Sequence, residues 1–270
     1  MSKSSYLIAA LLLAAAGVWA WFRFHPGPEA PPPPAAAPQA VQPVTAAPAA
    51  SAPAVNHPVQ AVADSASSPQ DVEGTLAALF GRSALATLFR LGDFPHRFAA
   101  TVDNLGRQQA SPRLWPLVPA AGRFGTLEHD GGQARVSPAN AERYTPYVRL
   151  LDGLDLRAAV AAYRRLYPLF QAAYVDLGYP RGYFNDRLIA VIDLLLATPD
   201  PGPLLKVHRP AVEGAEPSRP WLLYEFDDPA LQRLSAGQRI LLRMGPDYER
   251  RVKARLGEFR ALLVAAEPPR

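Results

Sequence analysis

Two groups of carboxylates in this chain are candidates for acid and base chemistry. Asp186 and Asp193 stand seven residues apart in an apolar run, so on a helix they share a face, and Glu225, Asp227 and Asp228 follow a short aromatic stretch. Carboxylates paired in this way can act as general acid and base on a glycosidic bond. A plainer account competes. Asp228-Pro229 is an ordinary helix start, Asp193 is placed to pair with an arginine, and no Glu sits in an apolar setting that would raise its pKa. We therefore assign no catalytic residue from the sequence. His96, His129 and His208 lack ligand spacing and there is no cysteine, so neither a metal nor another cofactor is expected. Phosphate-binding loops and Gly-Xaa-Ser-Xaa-Gly elbows are also absent from the sequence.

The most distinctive stretch is Gly-Tyr-Pro-Arg-Gly-Tyr-Phe-Asn-Asp-Arg, residues 178–187. A turn rich in aromatic residues before a helix makes a binding rim, here Tyr179, Tyr183, Asn185, Asp186 and Arg187, with the helix N-terminus facing an anionic or amide-bearing ligand. Capping explains the same residue types: Asn185 as N-cap, Asp186 favouring the helix dipole, Phe184 stapling the turn. Arg143 with its neighbour Tyr144, and Arg243, are further candidates to bind an acidic group, against pairing with nearby acids. Asp227 and Asp228 complete the candidate binding residues.

These residues need elements to position them. Ser68-Pro69 signals a helix to Phe80, ended by Gly81; a short helix follows at 83–90, and Phe94-Pro95 opens another through Leu105. Residues 108–122, with three prolines and no period, form a loop. Residues 124–129 and 133–136 flank Asp130-Gly131-Gly132 as a β-hairpin. Ser137-Pro138 and Thr145-Pro146 each start a short helix. The longest periodic segment, 155–178, should kink or break at Pro168. The Asn185–Thr198 helix is apolar enough to lie at the centre, and Trp221–Phe226 reads as a strand pairing with 204–208. Three helices close the chain, and in the last one Tyr248, Val252, Leu256, Phe259 and Leu263 form a stripe of period 3.6. Tyr163, Tyr167, Phe170 and Tyr174 form a second apolar stripe, expected to be core.

Ahead of this material, Tyr6–Phe22 is an uncharged apolar run of 17 residues with Trp19, Trp21, Phe22 and Phe24 at its end. Its length of about 26 Å and its aromatic border point to a membrane anchor, against a cleaved signal peptide with Lys3 as its basic start and Val18-Trp19-Ala20 as its cleavage site. Residues 26–70 contain 12 Pro and 14 Ala in 45, too little branched or aromatic surface to repay ordering. The expected organisation is therefore a transmembrane signal anchor over 1–25, a disordered Pro/Ala-rich linker over 26–70, and a globular domain over 71–270. That domain is expected to be mainly α, a compact multi-helix unit with a small β-hairpin and minor strands.

Residues 71–270 carry 26 basic and 22 acidic residues. This modest excess lacks the clustering of a nucleic-acid binder, and nucleic acid is not expected as a partner. The charge before and after the apolar run weakly favours a cytoplasmic N-terminus and a periplasmic domain. The basic residues of the last helix read as a solvated face.

Three stretches, Arg143–Val148, Tyr167–Pro199 and Tyr224–Gly245, resemble a bacterial family catalogued as domain of unknown function 3014, over most of residues 70–265. The resemblance implies an N-terminal membrane segment and a low-complexity linker, but no established activity. The reading reached from sequence is a single-pass inner-membrane protein whose periplasmic domain is a non-enzymatic interaction or scaffolding module. Its expected partners are the membrane, envelope proteins, peptidoglycan or anionic lipids. The alternative is a peptidoglycan-acting hydrolase or glycan-binding domain.

Overall fold

The computed structural model describes residues 55–60, 62, 65, 68–129, 133–202, 205–210 and 223–265. The anchor expected over 1–25 and most of the linker lie outside these residues. Among the described residues no helix is long and apolar enough to cross a membrane.

Helix α1 (Pro69–Phe80) begins at a reciprocal cap in which the Ser68 side chain accepts from Asp71 N and the Asp71 carboxylate accepts from Ser68 N. Gly81, at φ +80, ends it in a conformation open to glycine. Then follow α2 (Arg82–Leu88) and α3 (Phe94–Leu105). The loop after α3 is held by an isolated bridge between Phe89 and Leu117. Strands β1 (Thr126–His129) and β2 (Gln133–Val136) pair antiparallel. A 3₁₀ helix (Pro138–Tyr144) and α4 (Thr145–Asp152) start at the two expected prolines.

Helix α5 runs unbroken from Leu156 to Asp176 with Pro168 inside it, so the break expected there does not occur. An interior proline costs about 3 kcal/mol. Here its ring is on the exposed side, while Tyr163, Leu166, Tyr167, Phe170, Ala173 and Tyr174 bury one continuous face on both sides of it. That shared face outweighs one lost hydrogen bond. Helix α6 (Phe184–Leu196) crosses the centre, burying Phe184, Ile189, Val191 and Ile192. The chain finishes with β3 (Lys206–His208), β4 (Glu225–Phe226), α7 (Pro229–Gln232), α8 (Ala236–Met244) and α9 (Pro246–Ala265).

The class is mainly α, as expected. Helices α3, α5, α6 and α9 pack around one aromatic core, in which the rings of Phe98 and Phe170 lie 4.5 Å apart. The stripe of α9 joins it, with Leu263 buried and Tyr248, Val252, Leu256 and Phe259 packed on its edge. The minor component is one antiparallel sheet of order β1-β2-β3-β4. Its register sets Val207 opposite both Ala134 and Phe226, and these three with Leu205 and Leu242 form a second, smaller core.

Candidate functional site

The 178–187 stretch lies where α3, α5 and α6 meet, and its polar residues build two linked networks. The first centres on Asp103, a carboxylate buried near the end of α3. Arg187 Nε donates to its Oδ1 at 2.9 Å and Arg187 Nη2 to its backbone oxygen at 2.7 Å. Arg107, one turn on, donates to Oδ2 at 2.9 Å, and the Tyr179 hydroxyl donates to the same oxygen at 3.1 Å. The Asp103 charge holds the Arg107 guanidinium above its ordinary pKa. Gly106 keeps this arrangement possible, because a Cβ there would stand 2.8 Å from Arg187 Nη2. Tyr179 also stacks on Tyr174, ring centroids 4.4 Å apart.

The second network grips the chain's own N-terminal side. Asn56 N and His57 N donate to the two carboxylate oxygens of Asp186 at 3.1 and 2.8 Å. The Asn185 amide donates to His57 O at 2.8 Å, and the Tyr183 hydroxyl accepts from Val59 N at 2.7 Å. Asn185 is fully buried and also accepts from the Tyr163 hydroxyl at 2.9 Å; burial pushes that phenol well above its usual pKa. Gln171 closes the loop, accepting from Phe184 N and donating to Gly182 O. The expected role of Asn185 is therefore corrected. Tyr183, not Asn185, is the N-cap residue, and Asn185 sits inside the first turn as a buried bridge between α5 and residue 57. A cap faces the orphan amides of its own helix, whereas this amide is turned toward two other segments.

The remaining candidates lie elsewhere. Arg143 donates to the backbone oxygens of Ala120, Ala121 and Gly122 and to Asn140, and its guanidinium lies 5.6 Å from the centre of the Tyr144 ring. Burial raises the Tyr144 phenol. Arg243 donates to Tyr224 O at 2.8 Å and lies over the rings of Phe226 and Phe124; burial lowers its pKa, and Arg239 adds to that. Among the described residues neither arginine forms an ion pair with the acidic partner expected of it; backbone carbonyls and π faces take them instead. Asp227 Oδ1 accepts from His208 Nδ1 at 2.8 Å, and Asp228 caps α7 by accepting from Ala230 N at 2.7 Å. Asp193 pairs with Arg260 at 2.5 and 3.0 Å. On α9 Arg251 bonds Asp152, Lys253 bonds Thr198 O, and Arg255 bonds Leu151 O and Leu154 O, so its basic residues are ties to neighbouring elements as well as a solvated face.

Two features escape the sequence. Glu249 is 6% exposed, and burial raises its carboxyl despite Lys253 at 3.5 Å, contrary to the expectation that no Glu sits in such a setting. It lines a cleft of about 410 Å³ shared with Asp200, Arg243 and Asp247. The other is an apolar cleft of about 400 Å³, walled by α1, α3, α4, α5 and α9. No cluster of side chains able to hold a metal ion occurs among the described residues.

Fold and site together define a mainly helical domain whose distinctive polar residues bind other parts of the same chain. The chain belongs to the family Protein of unknown function (DUF3014), which matches residues 94–260, more than half its length. Neither a curated protein nor a solved structure matches it.

Proposed function

We propose that this is a membrane-anchored protein of the bacterial envelope whose folded domain is a non-enzymatic interaction or scaffolding module on the periplasmic side. The observation that carries this reading is the grip of Tyr183, Asn185 and Asp186 on residues 56–59. All four bonds go to main-chain atoms, the way extended peptides are read by protein-binding modules. The apolar run at 6–22 and the Pro/Ala-rich tether support the anchor and the reach.

A hydrolase acting on peptidoglycan is the second reading, and a specific observation favours moving it from Asp186, Asp227 and Asp228 to Glu249. A carboxyl raised by burial in a cleft beside other acids suits a general acid.

Two measurements test the proposal. Protease added to spheroplasts removes a C-terminal epitope if the domain is periplasmic; survival of the epitope until lysis overturns the topology. The full chain incubated with purified peptidoglycan releases no soluble fragments. Release that disappears in Glu249→Gln at unchanged melting temperature replaces the module with the hydrolase.

A further inference from the structure

The seat of residues 56–59 specifies the chemistry of what it holds. Asp186 accepts from two consecutive amides, Asn56 N and His57 N, so proline at either position would lose a bond. Asn185 donates to the carbonyl of the second residue, and Tyr183 accepts from the amide of the fourth. Between them stands Pro58, which has no N–H to strand and whose ring presets an extended backbone. Val59 packs its side chain on the main core, and Gln60 Oε1 accepts from Arg164 Nη2 at 3.1 Å. The seat therefore reads an extended Xaa-Xaa-Pro-Val segment, by its main chain and one apolar side chain.

The present occupant is held close to balance. The net gain from four hydrogen bonds is of the same order as the entropy lost in ordering four residues. Val55, Asn56 and Gln60 stay exposed, and His57, Pro58 and Val59 are only half-buried, so little apolar burial adds to the bonds. A segment bonded in this way is readily exchanged for another that presents the same groups.

We propose that the seat on α5 and α6 binds an extended Xaa-Xaa-Pro-Val segment of a partner protein, which displaces residues 56–59. This rests on the peptide-binding reading given above and adds the partner's pattern and the resident competitor.

The test is fluorescence anisotropy of a labelled peptide with the sequence of residues 54–61, Ala-Val-Asn-His-Pro-Val-Gln-Ala, titrated with the full chain in detergent. His57→Pro vacates the seat by removing an amide, and Val59→Asp vacates it by a second route. The chain repeats the pattern at Val41-Gln42-Pro43-Val44, so each host also carries Val44→Asp. Both vacated hosts bind the peptide saturably and at least about tenfold more tightly than the wild type, in which the tethered occupant competes at high effective concentration. Asp186→Ala in a vacated host weakens the peptide at least about tenfold, and so does Val59→Asp in the peptide. The proposal is overturned if neither vacated host binds, if the wild type binds as tightly as they do, or if Asp186→Ala leaves the affinity unchanged. Dimerisation of the wild type that Asp186→Ala abolishes overturns it as well, since the seat would then exchange segments with a second copy of the chain. Protection of the Asn56 and His57 amides from hydrogen exchange in the wild type separates the two failures: with those amides protected and no peptide bound, the grip stands and only the exchange falls, whereas unprotected amides remove the grip itself.

Discussion

The N-terminus of α6 and the apolar cleft beside α5 answer the question of binding in opposite ways. At the α6 end every candidate polar group already has a partner within the chain: Asp103 for Arg187, His57 for Asn185, two backbone amides for Asp186. The cleft, of about 400 Å³, is lined mainly by apolar side chains and opens partly to solvent. Polar residues in unusual patterns attract a functional reading because their types suggest chemistry. In this domain they are used up in bringing α3, α5, α6 and residues 56–59 together, and the unsatisfied surface is the apolar one.

Substitutions sharpen that contrast, most strongly at Asp103. Asp103→Ala leaves Arg187 without its carboxylate and removes the acceptor for Arg107 and Tyr179. Breaking a largely buried pair costs about 3 kcal/mol, so melting falls by about 9 °C. A melting temperature within about 2 °C of the wild type would mean that the Asp103 carboxylate does not hold α3 to α6. Asn185→Ala strands the Tyr163 hydroxyl and the His57 carbonyl, at a cost of about 2 kcal/mol by denaturant titration; an unchanged midpoint would mean the amide serves a ligand and not the fold.

The smallest stability effect concerns pH. His96 joins Asp93 and Asp176 at 2.7 and 3.1 Å, linking the start of α3 to the end of α5. Burial pulls the imidazole down, but its bonds to Asp176 and Asp93 outweigh this and raise its pKa above 6.5. A raised folded pKa means the contribution is complete below pH 6.5 and is lost as pH climbs through the folded value. The groups are about half exposed, so the melting difference between wild type and His96→Gln is about 1 °C at pH 6 and vanishes at pH 9.

Local signals made the element order legible. Ser68-Pro69, Gly81, Thr145-Pro146 and the α9 stripe each rest on a rule that neighbouring residues carry alone. Pro168 shows where such rules stop, because the helix there is held by a face packed on α3 and α9, which no local window contains. The site was half legible. Tyr179, Tyr183, Asn185, Asp186 and Arg187 do cluster, but their partners Asp103 and residues 56–59 are 76 to 130 positions away. Asp103 left one local trace, Arg107 four residues on. The cleft left none, since a missing volume has no residue to mark it.

The most direct test of the account is amide hydrogen exchange at Asn56 and His57 in the full chain. If Asp186 grips this segment, both amides are protected at least about tenfold over free peptide in the wild type, and Asp186→Ala abolishes the protection with a stability loss under about 1 kcal/mol. Exchange at the free-peptide rate in the wild type would contradict it, returning Asp186 and its neighbours to the pool of groups that await a ligand.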